Sequence, residues 1–115
     1  MSAEPVPVAQ VGPRIGEAAP GLSSEARVPT AVPRRYLGQL CKHFEHKLPV
    51  ALAENRGRIE FPTGVCQLDA ETEALVMRVT AGDEAALARL EDAVARHLER
   101  FAFRDKLEVH WVRTP

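Results

Sequence analysis

The stretch CKHFEHK, Cys41 to Lys47, gathers one thiol and two imidazoles within seven residues. These side-chain types ligate transition metals and move protons, and a thiolate attacks electrophiles. His43 and His46 are three positions apart, so on a helix they are surface neighbours. Two imidazoles begin a metal site without completing one. A third ligand has to come from elsewhere in the fold or from a second copy. The spacing also differs from the i, i+4 arrangement of the HExxH zinc helix. Two readings therefore stand side by side. In one, His43 and His46 are solvated residues on an outer helix face; in the other, they are candidate metal or ligand contacts.

The remaining candidates are sparser. Cys41 falls among apolar residues at helical spacing, and Cys66 shares a strand face with Leu68, so both thiols are expected in the core, reduced and inert. His97 lies at the edge of an apolar helical stripe, where a hydrogen-bonded, partly buried histidine is expected. His110 alternates with Val109 and Trp111, which places it on the opposite face of a strand with Glu108. No Gly-rich phosphate loop follows a strand, and no nucleophile elbow is present.

The elements that must position these residues are legible from periodicity. A helix is expected from Pro33 through RRYLGQLCKHFEHK, with Thr30 as a cap and Pro49 as the stop. Its apolar stripe is Leu37, Leu40, Cys41, Phe44 and Leu48. Arg35, Tyr36, Gln39, Lys42, His43 and His46 are assigned to the opposite, polar arc, and they form the candidate ligand-binding set. Ahead of the helix, ARVPTA (Ala26 to Ala31) reads as a short first strand. Period-two alternation then marks strands in PVALAE, GRIEFP, VCQLDA and ALVMRVT, joined as an antiparallel meander. Asp83 caps a second helix with the stripe Leu87, Leu90, Val94, Leu98 and Phe101. Arg104-Asp105 makes the turn into LEVHWVR, a closing strand with Leu107, Val109 and Trp111 inward. The order strand, helix, four strands, helix, strand predicts an α+β fold. One antiparallel sheet of about five to six strands would carry both helices on one face.

Composition sets the outer bounds. The 115 residues suit one domain. Residues 1–25 hold Pro5, Pro7, Pro13 and Pro20 among Gly12, Gly16 and Gly21, without an aromatic residue, and predict a disordered tail before a domain over 26–115. Fifteen basic residues against 16 acidic ones give a net charge of −1, which argues against a nucleic-acid binder. No apolar run approaches the roughly 20 residues that a membrane span needs. The start carries no secretory pattern, so a cytoplasmic location is expected.

Three blocks, RYLGQLCKHFEHK, GRIEFPTGVCQLDA and HLERFAFRDKLEVHW, resemble a small bacterial family known as domain of unknown function 2218. The resemblance covers about residues 26 to 113. Domains of that family are associated with siderophore-interacting proteins and other iron-acquisition genes. The resemblance therefore implies a small non-catalytic binding module in iron handling. Iron, haem or a ferric siderophore would be its ligand, and a siderophore-interacting reductase its partner. It supplies no catalytic residues. The local charge agrees with an anionic ligand, because Arg34, Arg35, Lys42 and Lys47 face only Glu45 on the first helix. The alternative is a homo-oligomeric interaction module that pairs with a second copy through a sheet edge. A small Cys/His enzyme ranks third.

Overall fold

The computed structural model describes residues 21–114. Six strands and two helices follow in the order β1 (Leu22–Pro29), α1 (Pro33–Phe44), β2 (Val50–Leu52), β3 (Arg56–Phe61), β4 (Gly64–Ala70), β5 (Ala74–Ala81), α2 (Glu84–Phe101) and β6 (Val112–Thr114). The fold is α+β, with all strands in one antiparallel sheet of order β2-β3-β4-β5-β1-β6. The meander accounts for β2 to β5. β1 then lies beside β5, and the last strand closes the far edge. Among the described residues, no helix is long and apolar enough to cross a membrane.

Most of the expected tail, residues 1–20, lies outside the described residues. Its last four residues do not belong to a tail. Leu22 to Glu25 open β1, where they pair with Ala81 to Arg78. Ser23 and Ser24 are buried in this segment, so small hydroxylated residues stand where a sequence reading looks for apolar ones.

Side chains alternate across the sheet. Ala26 and Val28 of β1, Leu75, Met77 and Val79 of β5, Cys66 and Leu68 of β4 and Ile59 of β3 form the inner face, and all are buried. Both helices cover that face. Leu37, Leu40 and Cys41 come from α1, and Leu87, Leu90, Val94 and Leu98 from α2. Gly57 sets how close α1 sits. A Cβ there would lie 2.6 Å from Cys41 Sγ and 2.9 Å from a Leu37 methyl. The missing side chain is the space into which the helix settles.

Helix ends follow local chemistry. Asp83 caps α2 by accepting from the Ala86 N–H at 2.8 Å. At α1 the cap position is Val32, with no side-chain cap, and Pro33 opens the first turn. Thr30, the expected cap, lies two residues before that position and accepts from the Val32 N–H at 3.1 Å instead. α1 stops at Phe44 rather than continuing to Lys47, and the Lys47 and Leu48 N–H groups both turn back to the Phe44 carbonyl.

The closing strand is shorter than its alternation implies. Leu107, Val109 and Trp111 do pack against the core, but ladder pairing to β1 covers only Val112–Thr114. Period-two patterning reports which way side chains face. It does not report whether the main chain finds a partner. Arg113 anchors this strand from the inner side, donating twice to Glu91 of α2 at 3.2 and 3.1 Å. Burial works to raise the Glu91 pKa, yet the arginine fork outweighs it and holds the carboxyl below its usual range.

Candidate functional site

The polar arc of α1 divides once the helix is placed. Arg35, Lys42 and His46 are exposed and Gln39 is half-buried. Tyr36 does not belong to the arc. It is 3% exposed, and its hydroxyl donates to Asp105 in the corner after α2. Helical geometry explains the correction, since Tyr36 lies four residues before Leu40 and so on the same face. The Asp105 hydrogen bond, then burial, raise the Tyr36 pKa. Tyr36 therefore fastens α1 to the α2–β6 corner.

His43 lies seven residues, about two turns, beyond Tyr36, and so beside the same edge of the stripe. It stays exposed, but its ring meets α2. Its centroid is 4.6 Å from that of His97, with ring planes tilted by 44°. Phe101 lies 5.6 Å away edge-on, and Phe44 5.0 Å away edge-on. Phe44 in turn contacts His97 at 4.8 Å and Phe61 at 5.2 Å. The two helices thus meet through an aromatic cluster in which two of the rings are imidazoles.

Electrostatics set the state of these rings. Burial lowers the His43 pKa first, and the charges of His97, Arg100, His46 and Lys47 lower it further. His43 is therefore neutral at pH 7. His97 Nδ1 lies 2.6 Å from the Ala93 carbonyl, one turn back on its own helix. A carbonyl only accepts, so Nδ1 carries a proton, and in the neutral ring Nε2 keeps its lone pair. The expected partly buried, hydrogen-bonded histidine is found here, in contact with a ring that the sequence had paired with His46 instead.

Beside the cluster lies a groove of about 410 Å³ lined by His43, Phe44, His46, Lys47, Leu48 and His97. Its floor is apolar and its rim carries imidazoles and an ammonium group. Among the described residues, no three His, Cys, Asp or Glu side chains converge as a metal-holding group.

The other chemistry-bearing residues stand apart. Cys41 and Cys66 are free and buried. Burial pushes the Cys41 thiol up to about 12 and Cys66 higher still, so neither is a thiolate at neutral pH. The outer sheet face is a ladder of matched charges. Arg78 reaches Glu25 at 3.3 Å and Ser23 at 3.0 Å, and Arg56 meets Asp69 at 3.3 Å. His110 is exposed and pairs with Glu108 at 3.1 Å.

Comparison with known proteins gives a fold and a family. No curated protein matches the chain. The NMR structure of PA4090 from Pseudomonas aeruginosa is similar, with a TM-score of 0.69 and 37% identity, over 79% of this chain and 95% of that one. Residues 25–112 match the model of a family described as an uncharacterized protein conserved in bacteria (DUF2218), spanning both helices and five of the six strands in full or in large part. The chain belongs to this bacterial family.

Proposed function

We propose that this domain is a non-catalytic binding module whose docking surface is the groove where α1 meets α2. The observation that carries the reading is the lining of that groove, with His43, His46 and His97 around the apolar side chains of Phe44 and Leu48 and with Lys47 at the rim. A ligand with a flat conjugated body can stack on such a floor, and its acidic groups can meet Lys47 and the exposed Lys42. Ferric siderophores and haem have this chemistry, and a siderophore-interacting reductase is the protein partner such a module would serve. Two buried thiols with raised pKa values favour binding over nucleophilic catalysis.

Absorbance titration with haem and with a ferric catecholate siderophore tests the reading. A saturable spectral change is expected in the wild type. His43→Ala/His46→Ala should weaken it by about 10-fold, equivalent to roughly 1.4 kcal/mol. A ligand response identical in both proteins would remove the groove from consideration.

A second reading, a homo-oligomeric interaction module, draws on the β1 edge. β6 pairs with Ser23 to Glu25 only, although β1 runs on to Pro29. An edge left partly open is a place where a second copy can add a strand. Light scattering across a concentration series distinguishes this reading from the first.

A further inference from the structure

We infer that His43 and His97 form a cis imidazole pair that binds a single divalent transition-metal ion at the α1–α2 junction, with copper(II) or nickel(II) geometry. This goes deeper into the groove proposed above as the docking surface. It names a site that differs from the His43–His46 pair suggested by spacing alone.

Distance is the first support. A metal–imidazole bond of about 2.0–2.1 Å puts the metal about 3.2 Å from the ring centroid. Two imidazoles on one metal then have centroids about 4.5 Å apart at a right angle and about 5.2 Å apart at a tetrahedral angle. The observed separation is 4.6 Å. That matches adjacent positions of a square-planar or tetragonal centre, the geometry of copper(II) and nickel(II) with nitrogen ligands. Ring orientation is the second. A metal must lie in the plane of each imidazole that binds it. Parallel stacked planes never meet, whereas planes tilted by 44° do. The third support is the bond from His97 to the Ala93 carbonyl. Metal-ligating histidines usually donate their other N–H to such an acceptor, which fixes the tautomer and orients the ring.

Each imidazole must offer an unprotonated nitrogen to bind. Since no third His, Cys, Asp or Glu converges here among the described residues, the pair supplies two positions. Water or donor atoms of a bound ligand supply the others. A metal carried by a chelator with two open positions would be recognised in this way.

The test uses the full chain and the bare metal, so its outcome is separate from that of the haem and siderophore titrations. Copper(II) added at pH 7.5 should bind one per chain, with an electron paramagnetic resonance spectrum showing two coordinated imidazole nitrogens. His43→Phe and His97→Phe, which keep an aromatic ring in the cluster, should each weaken binding by at least about 10-fold. His110→Phe, away from the junction, should leave it unchanged, and His46→Phe should cost less than either. A wild-type spectrum with fewer than two imidazole nitrogens overturns the site. Unchanged affinity in both His43→Phe and His97→Phe overturns it as well, and so does an equal loss in His46→Phe. If either Phe variant fails to fold, the wild-type nitrogen count decides alone.

Discussion

At the scale of single residues, the histidines of this domain differ because of what faces them. His43 is set apart from a free imidazole by partial burial and by four neighbours that bear or can acquire positive charge. Its folded pKa lies below the ordinary 6.5. Between those two values the unfolded chain binds more protons than the native one, so stability falls as pH falls through 6.5 and levels off below the folded value. Denaturant melts from pH 7.5 down to pH 5 should therefore show the wild type losing stability relative to His43→Phe. Parallel curves would mean that His43 titrates as a free residue does. The sequence marked His43 as a candidate, and it marked His97 as a partly buried, hydrogen-bonded residue. Their contact was not legible, because residues 43 and 97 meet only through the angle at which two separate helices cross the sheet. Tyr36 was more accessible. Its spacing to Leu40 places it on the buried side, yet a phenol among arginine and glutamine reads as polar when composition is weighed ahead of angle.

Between elements, α1 sits close over β3, and Gly57 makes this possible. Ala at this position would bring its Cβ within 2.6 Å of Cys41 Sγ and 2.9 Å of Leu37, both on the buried stripe of α1. Neither neighbour is a free surface tip that can swing away. Gly57→Ala is expected to cost about 1–3 kcal/mol by overpacking. Gly38, within α1, has nothing within 4 Å of its would-be Cβ, and there Ala should stabilise by about 0.5–1 kcal/mol. Urea unfolding of the two variants gives opposite signs if the helix is seated as described. Two stabilised proteins would show that α1 has slack above β3. Element order and facing were legible because period-two and helical patterns are carried by inward residues such as Ile59, Cys66, Leu68 and Leu87. The ends were less so. β1 begins in Leu22-Ser23-Ser24, where register with β5 rather than hydrophobicity holds the strand. β6 starts only at Val112, because backbone pairing leaves no trace in side-chain alternation.

For the molecule as a whole, the sheet and both helices share one apolar layer, and the two cysteines sample it from different elements. Cys41 comes from α1 and Cys66 from β4, and both are 0% exposed. Each thiol sits far above its ordinary pKa because burial disfavours the thiolate. A thiol reagent needs both access and the ionised form, so each cysteine reacts only when the structure opens. A single cooperative core has one opening that exposes both. Labelling of Cys41 and Cys66 should then proceed at the same slow rate, at least about 10³-fold below that of the urea-unfolded chain, as expected for a domain of ordinary stability. The two rates should also rise with equal slopes in urea, since they would report the same exposed surface. A different result has a specific meaning. If α1 lifts from the sheet independently, Cys41 labels faster than Cys66 and with a shallower urea slope. That motion would open the α1–α2 junction, separate His43 from His97 and carry the proposed groove with it. Mass spectrometry of the labelled protein assigns each thiol directly. Equal rates mean that the groove is as permanent as the fold. A fast Cys41 means that it opens on its own, and ligand or copper bound between His43 and His97 should then slow Cys41 labelling while leaving Cys66 unchanged.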